Sequence, residues 1–233
     1  MYEIFNYKFA PVEVFDRRVG ETNIRIMGVG DGHQSATFTA PEKRFDMMFA
    51  YMFSFDDVVK NAENCKNVLL MGGGGFSYPK YFLSAYPDKK MDVLELYKEL
   101  YDLSIKYFYL DEAIQKFDPA GERLNVVFGD AYKYLKKTDK KYDVILNDTY
   151  NGDKAPRAMY AHRTIKDIAA RLTPNGVYAV NVFCMGNDLT KRGAAMKNAL
   201  DRHFCETEVI MYKINEVSKV VRNCVVVGKR PRN

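Results

Sequence analysis

Two acidic residues of this sequence stand where a carboxylate could do chemistry. Glu95 ends the apolar run 91–95, and Asp148 directly follows the apolar run 142–147. A carboxylate at the end of a buried strand, on the edge of a pocket, can accept a proton or orient an amine nucleophile. Asp148 is therefore the candidate catalytic residue. The alternative is a loop aspartate whose side chain closes a turn on its own backbone.

Four consecutive glycines, Gly72, Gly73, Gly74 and Gly75, follow another apolar run, 67–71. Glycine lets the backbone turn sharply and lets a ligand approach it closely, and a helix start behind the turn offers unpaired N–H groups. Glu95 comes about twenty residues later, the spacing at which an acidic side chain accepts hydrogen bonds from a ribose. The pattern predicts a site for a nucleoside-type ligand, although Glu95 could instead cap the next helix.

A third apolar run, 124–128, ends in Gly129, Asp130 and Ala131. The carboxylate of Asp130 would suit the exocyclic amino group of adenine, because a carboxylate accepts the hydrogen bond that an amine donates. Its alternative role is the N-cap of the helix that follows. In an open α/β sheet the ligand binds outside the carboxyl ends of the strands, so these strand ends together predict one nucleoside pocket.

Alternating apolar runs and amphipathic segments supply the elements that position these residues. The predicted strands are 67–71, 91–95, 124–128, 142–147 and 177–182, with a turn at 173–176 and a closing hairpin from 208–213 and 219–227. Helices are predicted at 77–85, 97–108, 160–171 and 188–202, with a short helix after Ala131. Repeated βα units with Val-, Ile- and Leu-rich strands indicate an α/β fold, a Rossmann-like, doubly wound and mostly parallel sheet that ends in an antiparallel hairpin.

The first part of the chain has a different pattern. Residues 1–40 alternate or are β-branched between turn-rich pieces, which predicts a small N-terminal β-hairpin domain that must pack on the main domain or on another subunit. Residues 41–66 read as a helical connector with an apolar stripe of core residues, and residues 67–233 as the Rossmann-like domain. The stripe consists of Phe45, Met48, Phe49, Met52 and Phe53.

Composition argues against several classes of protein. The net charge of +5 is mild and its basic residues are interleaved with acidic ones, which disfavours nucleic-acid binding. No apolar run approaches the roughly 18 residues of a membrane span, and no signal peptide is recognised at Met1. The four cysteines form no CxxC pair, so we expect no metal site and a cytoplasmic protein with reduced thiols.

Together these residues resemble the spermidine synthase family and its spermidine-synthase-like relatives, within the class I S-adenosylmethionine-dependent methyltransferase fold. The resemblance extends from about Asn23 to Val227. Its marks are Gly32-His-Gln34-Ser, Val68-Leu-Leu-Met-Gly-Gly-Gly, Glu95, Gly129-Asp-Ala, Tyr142-Asp-Val-Ile-Leu-Asn-Asp148 and Leu172-Thr-Pro-Asn-Gly-Val.

The resemblance implies S-adenosylmethionine or decarboxylated S-adenosylmethionine as co-substrate. It implies that the glycines and Glu95 hold the methionine and ribose parts, that Asp130 and Ala131 lie near the adenine, and that Gln34 lines the pocket from the N-terminal side. Asp148 takes the place of the catalytic aspartate. The acceptor, a small-molecule amine, would meet Tyr51, Thr149, Tyr150 and Asn151. A homodimer or homotetramer is also implied.

The sequence departs from the family pattern on the acceptor side. Gly75 stands where the glycine loop of the family usually has an aspartate, and the missing side chain would leave more room there. Asn151 and Gly152 stand where the family usually has a second aspartate and a proline after the fourth strand. In the first helix only Tyr51 matches the usual Tyr-His-Glu run. A diamine dication needs carboxylates to replace its hydration, so the resemblance leaves open whether a methyl or an aminopropyl group is transferred.

Two other functions remain as alternatives. A non-catalytic nucleoside-binding or assembly protein would explain the altered acceptor side. An NAD-dependent oxidoreductase would also use a glycine loop with an acid about twenty residues on, but the third glycine of that fingerprint would fall at Ser77.

Overall fold

The computed structural model of the protein contains two β-sheets. It describes residues 2–30, 32–150, 156–183, 189–211 and 223–232, with the backbone alone for residues 2, 32–34, 157, 189 and 190. The first sheet is antiparallel, with four strands in chain order. They are β1 (Tyr2–Asn6), β2 (Pro11–Val19), β3 (Thr22–Val29) and β4 (Gly32–Phe38).

The second sheet has seven strands in the order β10-β11-β9-β8-β5-β6-β7. The neighbouring strands in the stretch β9-β8-β5-β6-β7 pair parallel. Strand β11 pairs antiparallel with both β9 and β10. The strands are β5 (Asn67–Met71), β6 (Lys90–Glu95), β7 (Leu124–Phe128), β8 (Tyr142–Asn147), β9 (Leu172–Phe183), β10 (Phe204–Ile210) and β11 (Asn223–Pro231). The chain runs outward from β5 to β7 and returns to β8 on the other side of β5, which makes the β5–β8 boundary the switch point where such sheets bind ligands.

Helices cover both faces of the seven-stranded sheet. The helices are α1 (Ala50–Asn61), α2 (Ser77–Ala85), α3 (Lys98–Tyr107), α4 (Leu110–Phe117), α5 (Ala131–Lys137), α6 (His162–Ala170) and α7 (Leu189–Leu200), with a 3-10 helix at Arg157–Tyr160. Alternate residues of β5 enter opposite cores: Val68 and Leu70 pack with α1, α2 and α4, and Leu69 and Met71 with α5, α6 and α7. This alternation follows from the period of two in a strand.

The four-stranded sheet packs on α3. Its buried residues Val12, Met27 and Val29 contact Leu100 and Leu103 of that helix. The Arg25 guanidinium also donates a hydrogen bond to the Tyr107 carbonyl at 3.0 Å. The expectation that the small sheet packs on the main part of the chain is therefore met within this chain.

The predicted fold class is confirmed, and several elements differ from the sequence prediction. Strands at 67–71, 124–128 and 142–147 and the helix at 77–85 have the predicted bounds. The sequence did not identify β1 or α4. The predicted turn at 173–176 lies inside β9, where the register with β8 jumps from Tyr142↔Leu172 to Val144↔Val177, so the extra residues form an irregularity in the strand rather than its boundary.

The apolar stripe of the connector is helical only in its second half. Residues 41–45 form turns, closed by bonds such as Lys43 N–H to the Ala40 carbonyl at 3.0 Å, and α1 begins only at Ala50. Phe45 packs edge to face on Phe117 with ring centroids 5.3 Å apart. Phe53 is 48% exposed, so the prediction that it belongs to the core is wrong. The helical spacing therefore did not mark one buried face, since Phe45 packs on α4 and Phe53 faces solvent.

Among the described residues, no helix is long and apolar enough to cross a membrane.

Candidate functional site

The predicted strand ends meet at the switch point of the seven-stranded sheet. The Gly72 N–H donates to the Leu94 carbonyl, the Asp148 N–H to the Met71 carbonyl and the Gly129 N–H to the Glu95 carbonyl, each at 2.8 Å. These bonds continue the sheet ladder one residue past each strand. A cavity of about 390 Å³ opens there, a size typical of small-ligand pockets. Its polar lining includes Gly72, Gly74, Glu95, Gly129, Asp130, Asp148, Thr149 and Tyr150.

Gly72 must be glycine because the loop after β5 runs directly beside the loop after β8. Its φ is +91°, and a Cβ at this position would lie 2.5 Å from the Asp148 carbonyl oxygen. Asp148 and the glycine loop therefore lie against each other without an intervening side chain. The close approach places the candidate catalytic residue beside the loop predicted to bind the co-substrate.

Glu95 organises the glycine loop. Its Oε2 accepts the N–H groups of Gly73 at 2.9 Å and Gly74 at 3.0 Å, and its Oε1 accepts the Tyr97 N–H at 2.9 Å. Burial raises the pKa of Glu95, and these backbone bonds oppose that rise. The bond to Tyr97 reaches the residue before α3, and no side chain caps that helix. Glu95 therefore does not act as a helix cap, and its side chain lines the cavity.

Asp148 is half-buried and held by two uncharged donors. The Tyr51 hydroxyl donates to Oδ2 at 2.7 Å, and the Asn181 amide donates to Oδ1 at 2.8 Å. Withdrawal from water raises the pKa of Asp148 to about 6, against the two hydrogen bonds, which lower it. A carboxylate with this pKa is mostly ionised at neutral pH. Because its pKa is close to neutral pH, it can also take up and release a proton during a reaction.

Asn181 is the site residue that sequence reasoning missed. It lies on β9, 3% exposed, and its own side-chain oxygen accepts from the Asn223 amide at 2.9 Å. A chain of hydrogen bonds therefore runs from β11 through β9 to Asp148. The sequence did contain a clue, an asparagine in the otherwise apolar run 177–182. A buried polar side chain needs a hydrogen-bond partner, which a nearby carboxylate can supply.

Asp130 caps α5. Its Oδ1 accepts the N–H groups of Tyr132 at 2.9 Å and Lys133 at 3.0 Å. Asp130 and the buried Ala131 also line the cavity. The N-cap and the adenine contact are compatible, because both capping bonds go to one of the two carboxylate oxygens.

Gly75 does not leave extra room. Its N–H donates to the Ser35 hydroxyl of β4 at 2.8 Å, and a Cβ at Gly75 would lie 2.5 Å from the Ser35 Cβ. The space of the missing side chain is filled by Ser35, and the expectation of an enlarged pocket is wrong. The reason is tertiary: the four-stranded sheet closes onto the glycine loop at this point.

The predicted acceptor residues fall into different environments. Thr149 donates its hydroxyl to the Asn147 side-chain oxygen at 2.7 Å, and the Tyr150 hydroxyl donates to the Asn181 carbonyl and accepts the Phe183 N–H, both at 2.7 Å. Both residues line the cavity, but these bonds also brace the loop after β8. Asn151 lies outside the described residues. Gln34 lies in β4, and its side chain is outside the described part of the chain.

Tyr51 lies with Asp148 on a second, enclosed cavity behind the glycine loop. This cavity measures only about 20 Å³, room for about one water molecule. Its walls include Phe55, Ser77 and Tyr78. Among the described residues, no group of three or more His, Cys, Asp and Glu side chains could hold a metal ion.

Comparison with known proteins identifies the family. The model of the spermine/spermidine synthase domain matches residues 48–231, most of the chain. The chain belongs to the spermine/spermidine synthase family. The match includes the glycine loop, Glu95, Asp130 and Asp148, and it confirms the resemblance inferred from those motifs. The four-stranded sheet lies outside the matched residues.

Curated relatives of this chain carry different activities in their names. A polyamine aminopropyltransferase of Vibrio vulnificus is 30% identical over 51% of this chain and 38% of its own length. A zebrafish (Danio rerio) eEF1A lysine and N-terminal methyltransferase is 24% identical over 63% of this chain and 21% of its own length. The matched part of the chain thus spans well under half of these relatives.

Solved structures agree on the fold. The crystal structure of a probable spermidine synthase from Corynebacterium glutamicum aligns with a TM-score of 0.78 at 19% identity, covering 98% of this chain and 80% of that one. At this identity the likeness speaks to the fold alone. It extends over the four-stranded sheet as well as the seven-stranded one, because nearly the whole chain aligns.

Proposed function

We propose that this protein transfers an aminopropyl or methyl group from decarboxylated S-adenosylmethionine or S-adenosylmethionine to an amine acceptor. The observation that carries the proposal is Asp148, placed against the glycine loop at the switch point and held there by Tyr51 and Asn181. Membership of the spermine/spermidine synthase family supports a transferase over the oxidoreductase alternative.

The co-substrate would occupy the larger cavity. Oε2 of Glu95 already accepts two backbone N–H groups, but Oε1 accepts only the Tyr97 N–H and keeps a lone pair, so the carboxylate can still accept a ribose hydroxyl group. Asp130 has an oxygen left for the adenine amino group. The glycine loop and the adjoining Asp148 then border the sulfonium end.

The reaction is an in-line displacement at a carbon bonded to the sulfonium. The amine lone pair forms the new C–N bond, the C–S electron pair passes to sulfur, and a neutral thioether leaves. The amine loses its extra proton to Asp148 or through it to solvent. The main contribution of the protein is to position nucleophile and carbon, which removes the entropic part of the barrier.

Binding and product analysis test the proposal. S-adenosylmethionine, its decarboxylated form and methylthioadenosine should raise the melting temperature, because a ligand that binds only the folded state stabilises it. Incubation with a mixture of amines should yield a modified amine by mass spectrometry, and Asp148→Asn should abolish most of the turnover while keeping nucleoside binding. Stabilisation by NAD alone would contradict the proposal. Nucleoside binding without any product would favour the non-catalytic alternative.

The choice between the two transferred groups depends on the acceptor side. Gly75 stands where the family pattern has an aspartate, and Ser35 fills the space beside it. This arrangement favours methyl transfer or an acceptor other than a diamine, whereas the Vibrio vulnificus relative is an aminopropyltransferase. The product's mass distinguishes a methyl from an aminopropyl group directly.

A cytoplasmic location and assembly as a homodimer or homotetramer belong to the same proposal. Among the described residues, Cys65, Cys205 and Cys224 form no disulfide, which agrees with a reducing compartment. Light scattering on the purified protein measures the assembly state, and a monomer at micromolar concentration would contradict the expectation.

A further inference from the structure

An aromatic ladder runs along the N-terminal segment to the edge of the larger cavity. Phe5 stacks on Tyr7 with ring centroids 6.0 Å apart, and Tyr7 stacks on Phe9 at 5.6 Å. Phe9 in turn stacks on Tyr97 at 3.8 Å with the rings inclined by 20°. Phe5 lies in β1, whereas Tyr7 and Phe9 follow the end of that strand in a segment that bends at residues 8 and 9. The stacking contacts therefore bring the three rings together.

The last two rings of this ladder form part of the cavity wall. Phe9 and Tyr97 both line it, next to Leu96 and Leu100, whereas Phe5 and Tyr7 do not. Tyr97 follows Glu95 by two residues and gives its N–H to that carboxylate. The ring pair therefore lines the same cavity as the carboxylate assigned to the ribose.

We propose that Phe9 is a nucleoside-binding residue of this protein and that the N-terminal segment completes the co-substrate cavity. The inference rests on the proposed function and extends it to a residue outside the part matched by the family model, 48–231. An apolar ring at this wall shields the nucleoside from water, and aromatic contacts add to the area that binding buries. Tyr97, which lines the cavity too, holds the Phe9 ring by stacking on it.

The ladder offers a matched pair of variants. Phe9→Ala removes a ring that lines the cavity. Tyr7→Ala removes a ring of the same ladder that also has two stacking partners, Phe5 and Phe9, but does not line the cavity. We expect Phe9→Ala to raise the Kd for methylthioadenosine about tenfold, and Tyr7→Ala to change it by less than about twofold. Methylthioadenosine carries the nucleoside and the methylthio group common to both candidate co-substrates, with a neutral thioether in place of their sulfonium. Phe9→Leu keeps the apolar volume and the packing on α3, and should give an intermediate Kd.

Hydrogen exchange on the wild-type chain provides a readout that needs no variant. Saturating methylthioadenosine should protect the peptide that covers residues 5–12, together with the glycine loop, and leave the peptide at 204–210 unchanged. Wild-type binding with equal Kd values for the Phe9→Ala and Tyr7→Ala variants, or protection of the glycine loop without residues 5–12, would overturn the inference and leave the proposed function standing. Failure of the wild-type protein to bind any of the three nucleosides would overturn the proposed function itself.

Discussion

Asp148 takes its protonation behaviour from residues on two distant elements. Tyr51 comes from α1 and Asn181 from β9, and each donates one hydrogen bond to a different oxygen of the carboxylate. Both bonds favour the ionised form, while withdrawal from water favours the neutral form and dominates. Neither neighbour brings a charge, so the pKa stays near 6 rather than below 4.

The pH profile should report this balance. If ionised Asp148 orients or deprotonates the amine, kcat/KM rises as the pH passes through about 6. Tyr51→Phe removes a bond that lowers the pKa of Asp148, so the rising limb should move to higher pH. Tyr81→Phe is the matched control, since it removes a tyrosine–carboxylate bond at Asp56, away from the site. An unshifted limb in Tyr51→Phe would show that the limb does not belong to Asp148.

The contact between Gly75 and Ser35 leads to a stability prediction. Gly75→Ala would place a Cβ 2.5 Å from the Ser35 Cβ, too close for two carbon atoms unless one of them shifts. Overpacking of this kind lowers the free energy of unfolding by about 1–3 kcal/mol. Ser35→Gly removes the obstructing side chain but leaves the Gly75 N–H without its acceptor. The double variant should therefore lose less stability than the sum of the single variants, measured by urea unfolding. Strict additivity would mean that the two positions do not touch.

At the scale of elements, α2 is tied to β4 by side chains along its first turn and a half. The Ser77 hydroxyl donates to the Ala36 carbonyl at 2.9 Å. The Lys80 ammonium donates to the Thr37 hydroxyl and to the Arg44 carbonyl, both at 2.7 Å. Lys80 is fully buried, at 0% exposed. The helix that follows the glycine loop is thus positioned by the small sheet as well as by its own.

Lys80 should make stability depend on pH. Burial, and then the charge of Arg44, lower the pKa of Lys80 to about 7 from 10.5. Between these values the unfolded chain binds one proton more than the folded chain, so the free energy of unfolding should rise with pH, by at most about 1.4 kcal/mol per unit. Lys80→Met should flatten this rise between pH 7 and about 9 in denaturant titrations, and the exposed Lys136→Met should not. The same slope in both variants would assign the titration to another group.

At the scale of the whole molecule, the β7 edge of the seven-stranded sheet is more exposed than the central strands. β5 and β8 are buried along nearly their whole length. Strand β7 is partly exposed, and within the described part of the chain it pairs with β6 alone. The cavity opens at the carboxyl ends of both kinds of strand. The division of the chain into units at 1–40, 41–66 and 67–233 stays a prediction.

Amide hydrogen exchange should reveal this gradient. Amides of β7 should exchange faster than those of β5 and β8 in the free protein, because an edge strand opens with fewer broken contacts than a central one. Mass spectrometry of peptides from the three strands measures the difference. Equal protection in all three would contradict the expectation and point to a partner covering β7.

The sequence by itself determined the parallel sheet and the polar strand ends. Runs of apolar residues with the period of buried strands, four glycines, and carboxylates directly after the runs are local features, and the geometry of a parallel sheet brings such ends together. Glu95, Asp130 and Asp148 could be chosen as site residues for that reason. The family followed from the same residues.

Only the tertiary structure decided what surrounds those residues. Tyr51 and Asp148 are 97 positions apart, and Gly75 and Ser35 are 40 apart. Pairing at such distances depends on how α1 and the four-stranded sheet dock on the seven-stranded sheet, and no local pattern encodes that docking. For this reason the sequence suggested open space at Gly75 where Ser35 lies, and it could not show that Asn181 holds Asp148 or that Phe9 reaches the cavity.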